Sequence, residues 1–421
     1  MLLKDIQALP ARSRSLLLLN MVNNLGSGLI TPFLVVYVHQ VNGLPLTVAT
    51  TAMATMAVGV MLGALFAGWL TDRRGAEFTV VLYMLVQAAG LAGYSVASLG
   101  WHFLAAAAIV GLGVGGSAAW NAMLAESAPK EQHPTLFSVN FTGANVALGI
   151  GGLLGSVVAA QAEDLVFRGL YVADALSCAA VGLAFVKALR SSEQRGEAGP
   201  RAEDKSQSSS YTVVLRHTRF MLLLVLGGLL FCASYGQLES GFPAHLTADL
   251  GVKPSFLGLL FVFNTGFVVL GQLMLHKVLK SVRPDRLVAA AAVLWAVSWG
   301  LIRAAGPLGE DTARFAILVA AISLFGIGEV CFAAGMPTLV NSLAPVEARG
   351  RFNAAYSMSI SFGFIVGPIV AGASISAGAG GTFVTGLAVG CLLLAILFFA
   401  RGRSFTPSPP AESPAPTEIR A

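Results

Sequence analysis

Three carboxylates stand inside long apolar stretches of the sequence: Glu239, Glu329 and Asp174. A charged side chain at the centre of a lipid bilayer costs at least roughly 2.5–3.5 kcal/mol, so such residues mark sites that bind a proton or a ligand. Two glycines and a proline surround Glu239, which predicts an irregular helix that lines a cavity. We expect Glu239 or Glu329 to bind a proton in alternation with a substrate, and Asp174 is a third candidate. A structural carboxylate bonded to a neighbouring polar group is the alternative for each.

Polar and aromatic side chains in the same stretches are candidates for the lining of such a cavity. Each could instead form a hydrogen bond between neighbouring helices, and the sequence leaves both interpretations open. The full set is Asn23, Asn24, Gln87, Trp120, Asn121, Asn140, Asn145, Gln237 and Asn264. The preferred members are Asn24, Trp120, Asn121, Asn145 and Gln237.

The sequence lacks the patterns typical of an enzyme or a metal site. It contains no Gly-x-x-x-x-Gly-Lys-Ser/Thr loop, which argues against ATP-driven chemistry. Its six histidines are scattered, and its four cysteines lie far apart inside apolar stretches, without Cys-x-x-Cys spacing. We therefore expect no catalytic residues, no cofactor and no metal ion.

Long apolar runs must hold these residues in place. Of the 421 residues, 56% are hydrophobic and 11% are charged, whereas soluble chains average about 25% charged residues. Twelve runs reach the length of about 20 apolar residues that crosses a membrane. We number them spans 1–12: residues 16–38, 46–70, 78–98, 101–126, 136–161, 167–189, 219–246, 254–279, 285–304, 313–340, 351–377 and 381–400. Continuous runs of this length predict an all-α membrane protein and not a barrel of short alternating strands.

Positive charge is distributed unevenly between the two sides of these spans. The formal net charge is +5, but the basic residues lie in short segments between spans and form no nucleic-acid-binding surface. If the N-terminus is cytoplasmic, 22 of the 26 Lys and Arg residues fall on the cytoplasmic side. That bias predicts a multi-pass protein of the plasma (inner) membrane with both termini cytoplasmic. We expect it to be a monomer.

A charged stretch rich in Ser and Gly divides the chain near its middle. We predict an N-terminal six-helix bundle (1–189), a cytoplasmic linker (190–216), a C-terminal six-helix bundle (217–400) and a disordered Pro-rich tail (401–421).

The two halves share a sequence pattern at a fixed offset of 216 residues. Ala128-Pro129 corresponds to Ala344-Pro345, and Gly151 corresponds to Gly367. Parallel repeats of this kind place the substrate site between the halves, near the middle of the membrane. The repeat therefore predicts two pseudo-symmetric bundles with a site between them.

Residues 68–75, between spans 2 and 3, read Gly-Trp-Leu-Thr-Asp-Arg-Arg-Gly. They resemble the signature loop of the major facilitator superfamily, Gly-x-x-x-Asp-Arg-x-Gly-Arg-Arg/Lys, with Ala76-Glu77 in place of the last basic pair. The resemblance implies that the loop is a conformational latch. In it Asp72 would bond to a neighbouring helix end and Gly68 would permit close helix approach. The gating candidates are Gly68, Asp72, Arg73 and Gly75.

Glycine-rich segments of spans 5 and 11 resemble the Gly-Pro-x-x-Gly-Gly motif of the drug:proton antiporters in that superfamily. Ordinary tight helix packing is an equal alternative. The residues concerned are Gly151, Gly152, Gly155, Gly367 and Pro368. Many proton-coupled drug exporters carry an Arg in span 4, and this chain has no Arg or Lys there.

The resemblance implies a secondary transporter that works by alternating access. The preferred function is proton-coupled efflux of small amphipathic or lipophilic compounds such as drugs and antibiotics. Proton-coupled transport of a specific metabolite is one alternative, and a non-transporting membrane sensor with the same fold is another. The expected partners are a small-molecule substrate, protons and the lipid bilayer, without nucleic acid.

Overall fold

The computed structural model describes residues 7, 9–159, 163–193, 212–309, 312–345 and 348–405. Within those ranges the chain is helical and contains no strand. Twelve helical segments there are long and apolar enough to cross a membrane. The predicted all-α membrane protein with twelve spans is therefore confirmed.

The first six spans are formed by seven helices. Their bounds are Ala11–Ile30 (span 1), Leu46–Arg74 (span 2), Ala76–Ser95 (span 3), Gly100–Val114 with Ser117–Glu126 (span 4), His133–Ala159 (span 5) and Asp164–Glu193 (span 6). A 3-10 turn at Thr31–Phe33 and a π-helical turn at Val36–Val41 extend span 1.

Span 7 is broken, whereas the other spans of the second half are continuous helices. Their bounds are Thr218–Ala233 with Tyr235–Leu238 and Gly241–Ala244 (span 7), Pro254–Ser281 (span 8), Pro284–Ala305 (span 9), Thr312–Leu343 (span 10), Arg349–Ser376 (span 11) and Gly380–Arg401 (span 12). A π-helical turn at His245–Asp249 ends span 7. Glu239 lies at the second break, between two short helices, in the irregular stretch that its glycines and proline predict.

The same pairs of spans pack together in both halves. Span 1 packs on span 5, span 2 on span 4, and span 3 on spans 4 and 6. Six spans later, span 7 packs on span 11, span 8 on span 10, and span 9 on spans 10 and 12. Between the halves, span 5 packs on span 8, and span 2 packs on span 11. Since span 5 corresponds to span 11 and span 8 to span 2, the two contacts are equivalent by pseudo-symmetry. The fold is thus two pseudo-symmetric six-helix bundles.

Corresponding glycines make corresponding close contacts. A β-carbon on Gly151 of span 5 would lie 3.0 Å from the Cα atom of Gly28 in span 1. A β-carbon on Gly367 of span 11 would lie 3.0 Å from the carbonyl oxygen of Gly236 in span 7. Small residues allow such backbone approach between membrane helices. Gly155 packs in the same way on span 1, and Pro368 is buried next to Gly367.

The predicted linker and tail lie only partly among the described residues. The helix Asp164–Glu193 continues past residue 189, and the helix Thr212–Arg216 begins before residue 217. At the start of the predicted tail, Gly402–Phe405 forms a helical turn, because the Phe405 side chain is buried 6.1 Å from the ring of Phe398. Residues 194–211 and 406–421 lie outside the described residues.

Candidate functional site

The twelve spans alternate in direction, so both ends of the chain emerge on one side of the bundles. We call this the terminal side. Span 1 begins there at Ala11, and span 12 ends there at Arg401. The opposite side, where spans 2 and 8 begin, we call the far side.

The two bundles touch in the half of the molecule next to the far side. Gly372 of span 11 packs directly against the side chain of Thr50 in span 2. On the other flank, Gly258 of span 8 packs against the Gly152 carbonyl and the Ser156 side chain of span 5. All five residues lie near the far-side ends of their helices, so the bundles are closed against each other there.

The same helix faces are apart near the terminal side. Gly68 lies five turns along span 2 from Thr50, at about 3.6 residues per turn, and therefore on the same face. A β-carbon on Gly68 would have no neighbour within 4 Å. Met358 lies on the face of span 11 that carries Gly372, and its side chain is 61% exposed. The bundles therefore part toward the terminal side and leave a cleft open there.

A carboxyl–amide pair joins two spans of the second bundle. The side-chain nitrogen of Asn264 in span 8 donates a hydrogen bond to Oε1 of Glu329 in span 10, at 2.7 Å. The two residues are 5% and 7% exposed. Gly326, one turn before Glu329, allows this approach, because a β-carbon there would lie 2.7 Å from the backbone oxygen of Asn264.

The broken part of span 7 brings two further groups to the same carboxyl. The Tyr235 side chain and the Glu239 carboxyl both interact electrostatically with Glu329. Tyr235 and Glu239 are four residues apart, and both belong to the segment where span 7 departs from a regular helix. Spans 7, 8 and 10 thus converge on Glu329, and Glu239 of span 7 belongs to the same part of the bundle. We call Glu239 and Glu329 together the acidic pair.

Aromatic rings pack around Tyr235, the span 7 neighbour of Glu329. The ring of Trp295 in span 9 lies 5.9 Å from that of Tyr235 and 5.3 Å from that of Phe332. Its indole nitrogen donates a hydrogen bond to the carbonyl of Phe325 at 3.1 Å, which fixes the ring. The ring of Phe231 stacks on Tyr235 at 5.1 Å. The wall beside the carboxyl groups is therefore apolar and rigid.

Among the described residues, the ion pairs do not join the acidic pair to any basic side chain. An ionised carboxylate without a cationic partner is costly in apolar surroundings. Such surroundings suit carboxyl groups that bind a proton or a cationic group.

Asp174 lies elsewhere. It belongs to span 6 of the first bundle, is 1% exposed, and packs against Gly26 of span 1. The three predicted carboxylates therefore form two separate sites, because Asp174 lies in a different bundle from Glu239 and Glu329.

The predicted latch residues do not make the contacts expected of them in this conformation. Asp72 is exposed and forms no hydrogen bond or ion pair with the described residues. Gly68 has open space beside it, so the expected close approach to another helix is not made here. The open cleft explains both observations, because the terminal half of span 2 stands apart from the other bundle.

The rest of the signature loop makes contacts within its own bundle. The guanidinium of Arg73 lies 4.5 Å from the ring centre of Trp69. Gly75 has a φ of 87°, a left-handed conformation that favours glycine, and it turns the chain from span 2 into span 3. Glu77, which replaces a basic residue of the family loop, forms an ion pair with Arg12 at the start of span 1.

The predicted cavity residues do not gather around the acidic pair. The side-chain amides of Asn24, Asn145 and Gln237 each donate to a backbone carbonyl four or five residues earlier, at 2.8–2.9 Å. Asn121 is exposed, and the buried indole nitrogen of Trp120 lacks a partner among the described residues.

Sequence reasoning ranked one partner of the acidic pair too low and missed two others. Asn264 was a lower-ranked candidate, although a lone amide in an apolar run is the natural partner for a carboxyl in another span. Tyr235 stands four residues before Glu239, a spacing that places both on one helical face. Trp295 gave no signal beyond its size, because its contact with Tyr235 depends on how span 9 packs.

Three comparisons with known proteins bear on this arrangement. The family model described as Major Facilitator Superfamily matches residues 16–245 and 224–421. The chain is 25% identical over 370 residues to the uncharacterized MFS-type transporter YttB of Bacillus subtilis (strain 168), covering 86% of this chain and 88% of that protein. It is 26% identical over 385 residues to a Na(+), Li(+), K(+)/H(+) antiporter of Planococcus maritimus, covering 85% and 88%. A solved POT family transporter, in complex with a thioalcohol-conjugated peptide, superposes with a TM-score of 0.77 at 13% identity, covering 96% of this chain and 100% of that one, and shows the fold alone.

Proposed function

The chain belongs to the Major Facilitator Superfamily and is a membrane transporter of that type. From this premise we propose that it is a proton-coupled antiporter that exports small amphipathic or lipophilic compounds. The observation that carries the proposal is Glu329, buried between spans 8 and 10 on Asn264, with Tyr235 and Glu239 of span 7 beside it and with no basic partner among the described residues.

Proton coupling follows from the chemistry of that pair. Two neighbouring carboxyl groups in apolar surroundings are costly to leave ionised together, so they bind a proton or a cationic group. If both compete for the same site, binding of substrate from the cleft releases a proton, and a proton from the other side releases the substrate. Glu329 is the main carrier in this scheme, because Asn264 orients its carboxyl, and Glu239 is its partner.

The walls of the site favour uncharged or cationic compounds with apolar bodies. Tyr235, Trp295 and Phe332 present ring surfaces, which attract cations as well as apolar groups. The acidic charge disfavours phosphorylated and other anionic compounds.

The open cleft sets the direction of the cycle. We take the terminal side to be cytoplasmic and the membrane to be the plasma (inner) membrane, because 22 of 26 basic residues fall on that side. The conformation described here is then open to the cytoplasm, ready to load a compound for export. The protein acts as a monomer, with one cleft between its two bundles.

The signature loop acts as the latch of the opposite state. When the cleft closes at the terminal side, the far side opens and span 11 approaches Gly68. Asp72 then bonds to a neighbouring helix end, as the resemblance to the family's signature loop implies.

The test is transport in proteoliposomes with an imposed pH gradient and ethidium as a lipophilic cation. We compare wild type with Glu329→Gln and Glu239→Gln, and use Glu131→Gln, an exposed loop carboxylate, as the matched control. Wild type and control should move ethidium in response to the gradient, and both site variants should move it far more slowly. Wild-type coupling in the Glu329→Gln protein would reject the proposal.

Antiport of monovalent metal cations is a second candidate, supported by the Planococcus maritimus relative and by the oxygen atoms of Glu329, Glu239 and Asn264. The same vesicles distinguish it. A pulse of Na+, Li+ or K+ should then collapse the pH gradient, whereas ethidium should not. A response to neither would direct attention to a specific metabolite or to a sensor function.

A further inference from the structure

Asp174 is a buried carboxyl group in the first bundle, separate from the acidic pair. It is 1% exposed, and neither carboxyl oxygen has a hydrogen-bond partner among the described residues. Burial of an unpaired neutral acid is unfavourable, but burial of an unpaired carboxylate is far more so. The surroundings of Asp174 therefore accept the neutral acid and disfavour the ion.

Spans 1, 3 and 5 and the π-helical turn at Val36–Val41 pack against span 6. Among their described residues, Glu77 lies at the terminal-side start of span 3 and His39 in the far-side turn, away from the level of Asp174. The titratable groups next to Asp174 are a phenol and a thiol, on Tyr171 and Cys178, and the phenols of Tyr94 and Tyr37 lie next to Tyr171. The nearest basic side chain on its own helix, Arg168, lies six residues away, about 9 Å along the axis. It is already paired with Asp164 at 2.7 Å. Span 5 carries one titratable residue, His133, at its terminal-side end, and the basic residues of span 1 lie at its start.

The packing leaves room for a proton but not for a metal ion. The carboxyl of Asp174 lies directly against the backbone of span 1, in the space that a β-carbon on Gly26 would need. A metal cation requires several oxygen ligands around it. The described residues contain no group of three His, Cys, Asp or Glu side chains that could supply them. The one cation that fits is a proton.

A second unsatisfied group lies one turn away on the facing helix. Asn23 precedes Gly26 by three residues, so it shares the face of span 1 that meets span 6. Its amide oxygen is buried and also lacks a partner among the described residues. Further along span 1, Asn24 donates to Asn20, and Asn20 donates to Asn140. Span 1 thus carries several amide groups between the level of Asp174 and the terminal side.

We propose that Asp174 is a second proton-binding site, held between spans 1 and 6 of the first bundle. It keeps its proton in the conformation described here. It loses that proton when span 1 shifts along span 6, which frees the carboxyl from Gly26 and brings it to the Asn23 amide and to water. The inference rests on the proposed proton coupling for its role in transport, but the bound proton itself is independent of any substrate.

Infrared spectroscopy of the purified protein in lipid tests the bound proton without a transport assay. A protonated carboxyl has a C=O stretching band that a carboxylate lacks. We expect a component of such a band near neutral pH that is retained in the double variant Glu329→Gln with Glu239→Gln, and that disappears when Asp174→Asn is added to that double variant. An unchanged band after that addition would overturn the proposal.

Isotope labelling covers the case in which Asp174→Asn fails to fold. Aspartate labelled with carbon-13 in its side-chain carboxyl shifts the band of any protonated aspartic acid in the unaltered protein. Of the aspartates in the described spans, Asp174 and Asp285 are buried, and Asp285 is paired with Arg283 at 2.8 Å. A shifted band in wild type and in Asp285→Asn supports the assignment, and a band that no label shifts rejects it.

Transport then separates this inference from the proposed function. If both hold, Asp174→Asn should still move ethidium but with fewer protons exchanged per molecule than wild type. If the band is present and no variant transports ethidium, the proposed substrate fails and the bound proton stands. If Asp174→Asn couples with the wild-type proton count, Asp174 has no part in the cycle.

Discussion

Asn264 and Glu329 join spans 8 and 10 through a hydrogen bond of 2.7 Å from the amide nitrogen to the carboxyl oxygen. Span 8 also packs on span 5 of the other bundle. The Glu329 carboxyl is therefore bonded directly to one of the helices on which the two bundles meet.

Replacement of Asn264 by Ala distinguishes what this hydrogen bond contributes to stability from what it contributes to transport. Side-chain hydrogen bonds between membrane helices contribute about 0.6 kcal/mol on average and up to about 1.7 kcal/mol. We therefore expect a small loss in the free energy of unfolding, measured in detergent. Transport driven by a pH gradient should fall much further, because Glu329 loses the group that orients it.

The control for this substitution is Asn145→Ala, since the Asn145 amide bonds to a carbonyl of its own helix. It should leave transport close to wild type. Equal losses of stability and transport in the Asn264 variant would show that the bond is structural only.

The acidic pair predicts non-additive kinetics. When two groups act as a unit, removing either one abolishes most of their joint contribution to the rate. Removing the other group as well then slows the rate little further. The double variant Glu239→Gln with Glu329→Gln should transport about as slowly as the slower single variant. Initial rates of proton-driven uptake into vesicles measure this. Multiplying losses would mean that the two carboxyl groups work independently.

The ion pair between Arg12 and Glu77 is the structural consequence of an acidic residue where the family's loop is basic. Both side chains are partly exposed, and such pairs contribute at most about 1 kcal/mol. Glu77→Arg should therefore lower the free energy of unfolding slightly, and Arg12→Glu in the same protein should restore it. Thermal unfolding in detergent measures both. A reversed pair less stable than the single variant would show that other contacts of Glu77 dominate.

The fold could be predicted from the sequence because the length and apolar content of a run identify a membrane span. Twelve runs and a repeat of 216 residues lead to two bundles without any knowledge of side-chain contacts. The site was only partly accessible in this way. Glu239 and Glu329 stood out as charges among apolar residues, but their approach depends on the breaks in span 7 and on Gly326. Trp295 and the separation of Asp174 from the pair depend on how spans 6 and 9 pack.

The latch also shows what sequence reasoning cannot supply. The resemblance implied that Gly68 allows close helix contact and that Asp72 has a partner. Neither contact is made here, because the terminal half of span 2 stands apart from the other bundle.

Cysteine cross-linking can detect the state in which the latch closes. Spans 2 and 11 run antiparallel, and Thr50 packs on Gly372. Eighteen residues along span 2 and eighteen back along span 11, Gly68 should face Ala354 when the terminal half of the cleft is shut. In a background without the four native cysteines, the pair Gly68→Cys and Ala354→Cys should cross-link only during turnover, and the linked protein should be arrested.

The pair Thr50→Cys and Gly372→Cys is the matched control, because its positions already touch in the conformation described here. It should cross-link in the resting protein and should also stop transport, since it prevents the far side from opening. Gly386→Leu, in open space on span 12, controls for bulk when Gly68→Leu is tested beside it. Gly68→Leu should fold but fail to transport, because the leucine obstructs closure, while Gly386→Leu should transport normally. Two results together would contradict this scheme: cross-linking of the Gly68→Cys and Ala354→Cys pair in the resting protein, and normal transport by Gly68→Leu. They would mean that spans 2 and 11 do not part during the cycle.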